Sequence, residues 1–356
     1  MNGPHRSGDL IAERYQVEDF IGEGGMQFVY LANDLILERM VALKTPKNAS
    51  AAKRFSRRAI VSAKVNHPNV AKTLDYVEGV ERAYLVEELV EGNDLEAALL
   101  KKVNYVDPYL AAKIFHYIVK GVAAAHHAGV IHRDLKPTNV MVAGDFQLSE
   151  IKVTDFGIAK MADEELAEAA EGGNASLSMS LTAVGALPYM SPEAIDTPRA
   201  VSFATDIWSI GAMMFHLLTG SPPYGTGLRI VRKILEAEPP EFPSFLTSNP
   251  QFAPLSEQLQ NLILACMQKD PKDRPTADKL VELTSTLCYP ITPRYEGRVR
   301  EIRHNAWGFI ESDGQDVFFH LSSVFGIKPK AGSIVLFSKF NGGGAHRAHP
   351  VIVKSA

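Results

Sequence analysis

The stretch HRDLKPTN at residues 132–139 contains the residue types that phosphoryl transfer requires. Moving a γ-phosphoryl group needs an oriented hydroxyl and metal ions held by carboxylate and amide oxygens. Asp134 would accept the proton of the attacking hydroxyl, and Lys136 would neutralise charge on the γ-phosphate. Asn139, together with Asp155 of the following DFG motif, would bind the metal ions. These residues predict a phosphoryl-transfer site.

Two motifs nearer the N-terminus supply groups for the phosphates. GEGGMQFV at residues 22–29 lies between two predicted strands, so it is not the strand-to-helix turn of a dinucleotide-binding fold. Gly22 and Gly24 are candidates for a lid over the phosphates, although this motif alone is a weak signal. Lys44 ends the run VALK and is placed to pair with the α- and β-phosphates.

Further motifs follow towards the C-terminus: SPE at residues 191–193, DIWSIG at residues 206–211, and Arg274. With all of these in order, residues 15–287 resemble the eukaryotic-like (Hanks-type) Ser/Thr protein kinases, especially the bacterial ones. The resemblance implies an α+β, two-lobed kinase fold that binds ATP between the lobes, with Mg²⁺ or Mn²⁺ as metal. It also implies phosphorylation of Ser/Thr in protein substrates, because Lys136 is typical of Ser/Thr-type members.

The same resemblance assigns further residues by their positions in the family motifs. The adenine would be enclosed by Ile21, Val29, Ala42 and Met141. The hinge would offer backbone groups of Glu88 and Val90, and the ribose would lie by Asp94. Glu193 and Arg274 would form a structural ion pair in the large lobe.

One departure from the family concerns the partner of Lys44. The family pairs this lysine with a glutamate on the small-lobe helix, but that position holds Arg58, and residues 39–74 contain no Asp or Glu. An arginine facing Lys44 would cost about 1–4 kcal/mol at ~4 Å, depending on solvation. Glu87, at a usually apolar position before the hinge, needs a partner if buried, which suggests a Lys44–Glu87–Arg58 cluster. The alternative is that Arg58 points into solvent.

Two further departures bear on activity. Gln27 replaces the last glycine of the lid, so the lid would sit less closely over the phosphates. Ala186, in GALPY at residues 185–189, replaces a threonine that bridges the base and the lysine in Ser/Thr kinases. Since the metal and base residues are intact, the sequence favours an active but atypical kinase. The alternative is a pseudokinase scaffold with little or no catalysis.

A Gly-, Ser- and Ala-rich stretch at residues 164–180 predicts a mobile activation loop. Ser178, Ser180 and Thr182 are candidate autophosphorylation sites, and bacterial relatives typically modify the first two positions. A phosphate there would pair with Arg133, which precedes the catalytic base. The alternative is that this loop is flexible and is not phosphorylated.

Three motifs near the C-terminus, GRV at 297–299, WGFI at 307–310 and DVFFHL at 316–321, resemble the cold-shock domain. That family is a small all-β, five-stranded OB-type barrel whose surface aromatics stack on unpaired bases. The residues that match its nucleic-acid platform are Trp307, Phe309, Phe318 and His320.

The barrel also departs from its family, because Glu301 and Leu321 replace two common aromatics. Each lost ring would remove about 1–3 kcal/mol of stacking per base. Two interpretations therefore remain open. The barrel binds single-stranded RNA or DNA, or it binds protein or packs on the kinase.

Composition and charge agree with two folded parts in the 356 residues. From Arg294 onward, nine Lys/Arg and five Asp/Glu give a net charge of +4, which leaves −8 for the rest of a chain with −4 in total. A basic C-terminal part hints at a polyanionic partner. We divide the chain into a disordered tail (1–12), a kinase domain (13–288), a proline-containing linker (289–294) and a cold-shock-like domain (295–356).

Cysteine content and hydropathy bear on location. Cys266 and Cys288 are too few for a disulfide scaffold or a cysteine zinc site, which favours a reducing cytosol. The sequence lacks an 18-residue apolar run and the apolar core of a signal peptide. We therefore expect a cytoplasmic protein that does not span a membrane. A homodimer remains open, because relatives often pair back to back.

Overall fold

The computed structural model describes residues 3–23, 27–47, 55–56, 59–79, 82–156, 185–289 and 292–355. A small lobe comes first, built on an antiparallel sheet in the order β1-β2-β3-β4-β6-β5. Its strands are β1 (Leu10–Ile11), β2 (Tyr15–Glu23), β3 (Gln27–Asp34), β4 (Arg39–Pro46), β5 (Thr73–Glu78) and β6 (Ala83–Glu88). Tyr15, Tyr30, Val41 and Leu43 fill its core. Helical residues 55–56 and 59–62 pack Phe55 and Ala59 against Leu85 of β6.

The segment before β1 is packed on this sheet. The His5 ring lies 5.5 Å from the rings of both Tyr30 and Tyr84, and its Nε2 is 3.0 Å from the Tyr84 hydroxyl. The backbone N–H of Gly8 donates to the carbonyl of Val17 at 2.8 Å. The prediction of a disordered tail over residues 1–12 is therefore wrong from residue 3 onward. The polar composition of this segment did not reveal that one histidine fits between two tyrosines.

The large lobe consists mainly of helices. They are α1 (Pro108–His127), α2 (Pro192–Asp196), α3 (Phe203–Thr219), α4 (Val231–Glu236), α5 (Ala253–Cys266) and α6 (Ala277–Ser285). A three-stranded antiparallel sheet of β7 (Gly92–Asp94), β8 (Val140–Ala143) and β9 (Glu150–Val153) faces the small lobe. None of the helices within the described ranges combines the length and hydropathy of a membrane span.

Close packing of α3 on α5 fixes the centre of this lobe. A Cβ at Gly211 would lie 2.8 Å from the Cβ of Cys266 and from the Cγ of Met267. Only glycine therefore allows the two helices to approach this closely. Trp208, which is fully buried, fills the core beside this contact.

The C-terminal part is a closed barrel in the strand order β10-β11-β12-β14-β13. Its strands are β10 (Arg294–Arg303), β11 (Trp307–Ser312), β12 (Gln315–His320), β13 (Ile334–Phe340) and β14 (Arg347–Val353). Strand β10 pairs with both β11 and β13, and the parallel pair β12–β14 completes the closure. The predicted α+β class with a small five-stranded barrel is confirmed. The OB type of this barrel stays a prediction.

An aromatic cluster joins the barrel to the large lobe. The Phe325 ring, just after β12, lies 5.2 Å from Phe252 and 5.7 Å from Tyr105. The Tyr105 hydroxyl accepts from the N–H of Ile327 at 2.5 Å. A Cβ at Gly326 would overlap this hydroxyl, and its φ is +73°, so glycine is required twice over. Leu336 and Ile352 of the barrel belong to the same buried core as the large lobe.

Polar contacts surround this cluster. The Asn249 side chain donates to the carbonyls of Ser322 and Val324 at 2.8 and 3.2 Å. Arg294, the first residue of β10, pairs with Asp107 at 2.7 Å, and both side chains are buried. Asp107 also caps α1 by accepting from two of its first N–H groups. The barrel is thus tied directly to the start of the longest helix in the described residues.

Candidate active site and barrel surface

A cleft of about 860 Å³ separates the two lobes. Its lining includes the predicted nucleotide, metal and catalytic residues that the structure describes: Ile21, Gly22, Val29, Ala42, Lys44, Glu88, Val90, Asp94, Asp134, Lys136, Asn139, Met141 and Asp155. Gly24 lies outside the described residues. Residues far apart in the sequence therefore meet in one cavity of the size that small-molecule sites usually have.

Lys44 lies in this cleft between two carboxylates. Its Nζ is 2.5 Å from Oε2 of Glu87 and 2.7 Å from Oδ1 of Asp155. The Lys44–Glu87 half of the hypothesised cluster is therefore present, whereas Arg58 lies outside the described residues. The side-chain amide of Gln27 donates to the same Asp155 oxygen at 3.3 Å.

The side chains of the catalytic loop converge on Asp134. Lys136 Nζ donates to both oxygens of this carboxylate, at 3.1 and 2.9 Å. Asn139 Nδ2 donates to the backbone carbonyl of Asp134 at 2.7 Å and to its Oδ2 at 2.9 Å. These contacts fix the orientation of the carboxylate, as a general base requires.

Asp206 of α3 holds the backbone of this loop. Its carboxylate accepts from the N–H groups of His132 and Arg133 at 2.9 and 2.8 Å. Arg133 has a φ of +69°, an uncommon conformation for a residue with a side chain, so this anchoring offsets local strain. His126, at the end of α1, lies 2.8 Å from the same carboxylate.

Two oxygen-bearing side chains in the cleft fit a magnesium ion. The N–H of Thr154 donates to the backbone carbonyl of Asn139 at 2.9 Å, which brings Asp155 next to Asn139. The Asn139 amide nitrogen faces Asp134, so the amide oxygen points the other way. A carboxylate and an amide oxygen, completed by phosphates and water, form the type of site that Mg²⁺ prefers.

The protein kinase domain family matches residues 15–284. The chain belongs to the protein kinase family. The cleft of this kinase therefore lies where the family resemblance in the motifs implies, between a sheet-based small lobe and a helical large lobe.

The kinase is similar to several bacterial proteins. It is 34% identical over 275 residues to the probable serine/threonine-protein kinase PknB of Lactococcus lactis subsp. lactis (strain IL1403), covering 76% of this chain and 41% of that protein. It is 34% identical to the serine/threonine-protein kinase PrkC of Bacillus subtilis (strain 168), covering 75% of this chain and 39% of that protein. It is 33% identical to the serine/threonine-protein kinase pkn3 of Myxococcus xanthus, covering 76% and 49%. The chain thus spans less than half the length of these relatives.

A similar solved structure is the crystal structure of Rad53 1-466 in complex with AMP-PNP. The two share 24% identity with a TM-score of 0.58, over 75% of this chain and 64% of that chain. At this identity the similarity shows the shared fold.

The ion pair that the family resemblance assigns to the large lobe is present. Arg274 binds Glu193 with two hydrogen bonds, at 2.7 and 2.9 Å. Burial alone would raise the pKa of Glu193, but the Arg274 guanidinium holds it below its ordinary value. This pair links the start of α2 to the segment before α6.

The segment containing Ala186 is held by α3. The Tyr189 hydroxyl lies 2.8 Å from Nδ1 of His216, and the Tyr189 carbonyl accepts from the Ser209 hydroxyl at 2.8 Å. The candidate phosphorylation sites Ser178, Ser180 and Thr182 lie outside the described residues.

Acidification is expected to lower the free energy of unfolding of the kinase, because His216 is buried. Burial lowers the pKa of His216 to about 4, so its contribution to stability is complete above pH 6.5 and is lost as the pH falls towards 4. The shift corresponds to about 3 kcal/mol. Urea unfolding at pH 7 and pH 4.5 measures the loss, and His216→Gln should show a smaller difference between the two pH values. An equal difference in both proteins would contradict this origin.

The barrel carries the predicted platform on its outer surface. Trp307 faces His320 and Phe309 faces Phe318 across β11 and β12, and the three aromatic rings lie 5.8 to 6.0 Å apart. The described contacts with the large lobe do not involve these rings. The barrel therefore packs on the kinase, as one interpretation held, while its aromatic face points elsewhere.

Arginines lie over these rings. Arg300 is 5.5 Å from the Phe309 ring, Arg303 is 5.4 Å from Trp307, and Arg347 is 6.0 Å from Phe318. Glu301 stands between two of them, 2.7 Å from Arg303 and 3.5 Å from Arg300. The hydrogen bond from Arg303 lowers the pKa of Glu301. Leu321, at the other departure from the family, packs against the barrel core.

Two residues of these sites were missed by sequence reasoning. Lys152 of β9 is buried and pairs with the hinge residue Glu88 at 2.6 Å, which ties the hinge to the large-lobe sheet. Phe340 is exposed and lies opposite Arg347 on β13 and β14, and the Arg347 guanidinium lies over the Phe318 ring. The position of Phe340 at the end of an alternating strand was the available signal.

Proposed function

We propose that this chain is an ATP- and Mg²⁺-dependent protein kinase that phosphorylates Ser and Thr, including residues of its own activation loop. The observation that carries the proposal is the convergence of Lys136 and Asn139 on the Asp134 carboxylate. These contacts support a base held in one orientation, as phosphoryl transfer requires.

Each of these side chains has a role in the proposed reaction. Asp134 would take the proton of a Ser or Thr hydroxyl while the oxygen of that hydroxyl bonds to the γ-phosphorus. The bond between the γ-phosphorus and the bridging oxygen breaks, and ADP leaves. Lys136, beside Asp134, would stabilise charge on the transferred group, and Lys44 would hold the α- and β-phosphates.

Asn139 and Asp155 would hold Mg²⁺, which neutralises phosphate charge when bound. The purine would occupy the apolar part of the cleft, between Ile21 and Val29 on one side and Met141 on the other.

The rival is a pseudokinase scaffold. Two residues favour it: Ala186 in place of the family's threonine, and Arg58 in place of the glutamate of the small-lobe helix. Incubation with γ-labelled ATP and Mg²⁺, with a Ser/Thr peptide mixture present, separates the two. The proposed kinase transfers label to itself or to the peptides. A scaffold that binds ATP and transfers no label under varied metals would replace the proposal.

For the barrel, we propose binding of single-stranded RNA or DNA. Aromatic rings on an outer surface, with arginines beside them, support stacking of bases and contact with phosphates. The net charge of +4 on this part adds to the attraction for a polyanion. A protein ligand for the same face is the alternative.

Replacing Phe318 by Ala is expected to weaken oligonucleotide binding about 5- to 100-fold, because its ring is next to both Trp307 and Phe309. Titration of the full chain with labelled oligonucleotides at two salt concentrations measures this, with weaker binding at higher salt. Phe203→Ala, at an exposed phenylalanine of the large lobe, is the matched control. Equal affinity of the two variants, or no binding at low salt, would rule out this site.

A further inference from the structure

The back wall of the nucleotide cleft contains a buried acid next to Lys44. The Glu87 carboxylate is 2.5 Å from Lys44 Nζ, and the two side chains are 5% and 8% exposed. Removing one member of such a pair leaves a buried charge without its partner. The pair is therefore a structural requirement of this cleft, at a position where the family resemblance places an apolar residue.

Sheet register brings the two side chains together. On the antiparallel pair β4–β6, Ala42 lies opposite Glu87, and Lys44 lies opposite Leu85. Side chains two residues apart on a strand share a face, so Lys44 and Glu87 are diagonal neighbours on the cleft side of the sheet. Backbone hydrogen bonds of the sheet thus set their separation.

Asp155 is a second carboxylate beside Lys44 in the cleft, with its Oδ1 at 2.7 Å from Nζ. As a ligand of Mg²⁺ in the proposed reaction, Asp155 would share its negative charge with the metal ion and would attract Lys44 less strongly. Glu87 is held in place by the pairing of β6 with β4, so its carboxylate would remain as the counter-charge of the Lys44 ammonium group.

We infer that Glu87 is the positioning residue for Lys44, aiming the ammonium group at the α- and β-phosphates from the β6 strand. The inference rests on the proposed kinase function. It assigns to a strand of the central sheet the task that the family gives to an acid on the small-lobe helix.

The affinities of ATP and of adenosine, measured for the wild type and for two Glu87 variants, test this inference. Glu87→Gln removes the charge at nearly constant shape, and Glu87→Asp keeps the charge on a shorter side chain. ATP contacts Lys44 through its phosphates, whereas adenosine has none. Glu87→Gln is expected to weaken ATP binding and lower kcat about tenfold, with Glu87→Asp in between. Adenosine affinity should stay within about twofold in all three, because the purine site is unchanged.

The matched control is Asp75→Asn, which removes a carboxylate of the same sheet that pairs with Arg14 and Tyr15 instead. It should leave ATP affinity unchanged. Equal ATP affinity in wild type and both Glu87 variants overturns the inference alone, as does a parallel loss of adenosine affinity. A wild-type protein that binds no ATP overturns the proposed function and the inference with it.

Discussion

Replacing Arg294 by Met is expected to lower the free energy of unfolding by about 3–5 kcal/mol, because it leaves the Asp107 carboxylate buried without its counter-charge. Asp107 is fully buried and the Arg294 side chain is 3% exposed, so water does not replace the lost partner. The substitution also removes the only ion pair between barrel and large lobe among the described residues. The barrel and the lobe should therefore both become less stable.

Urea unfolding of the full chain, followed by far-UV circular dichroism, measures this loss. Arg300→Met is the matched control, since Arg300 pairs with Asp316 on the barrel surface and its side chain is 48% exposed. Exposed pairs contribute little, so this variant should unfold close to wild type. Similar losses in both variants would show that the buried pair has no special role.

Replacing Asp134 by Asn is expected to lower kcat about 10²- to 10⁴-fold, because an amide cannot accept the proton of the substrate hydroxyl. The variant keeps the size of the side chain and its place beside Lys136 and Asn139. ATP affinity should remain within about twofold, since this residue acts on the hydroxyl and not on the purine. Initial rates of peptide phosphorylation and a separate ATP titration measure the two quantities. Unchanged kcat, or a loss of ATP binding as large as the loss of rate, would contradict the assigned role.

The motifs predicted most of the cleft because phosphoryl transfer constrains residue type and order together. Lys44, the loop with Asp134 and Asn139, and Asp155 come from three parts of the sequence and meet in one cavity. Apolar residues also recur with helical periodicity at residues 111–127 and 206–218. The observed helices begin three residues earlier in both cases, because the capping residues Asp107 and Ser202 lie outside the apolar pattern.

The docking of the barrel could not be predicted in the same way. Tyr105, Phe252 and Phe325 read as ordinary core residues of two separate parts, and only the structure shows that their rings meet. The sequence places Arg294 at the end of the linker, whereas the structure shows it as the first residue of β10, paired with Asp107. Long-range ion pairs leave no periodic signal in a sequence.

The surroundings of Lys44 could be predicted from the sequence only in part. The absence of acids from residues 39–74 and the unusual Glu87 together suggested a substitute partner. The register of β4 and β6 supplies the reason that the substitute reaches the lysine. The Arg58 part of the hypothesis lies outside the described residues and stays a prediction.

Barrel and kinase pack on each other, and the cleft and the aromatic face of the barrel lie at separate places. The contacts that hold the barrel come from the first residue of β10, from the segment after β12, and from β13 and β14. The rings of Trp307, Phe309 and Phe318 lie on β11 and β12. Nucleic acid bound to that face would therefore stay at a fixed place relative to the cleft.

Phosphoamino acid analysis after incubation with γ-labelled ATP and Mg²⁺ tests most directly whether this chain is an active Ser/Thr kinase. The proposed function predicts label on phosphoserine or phosphothreonine in the wild type, and almost none in Asp134→Asn. Label confined to phosphotyrosine, equal label in both proteins, or ATP binding without any transfer would contradict it.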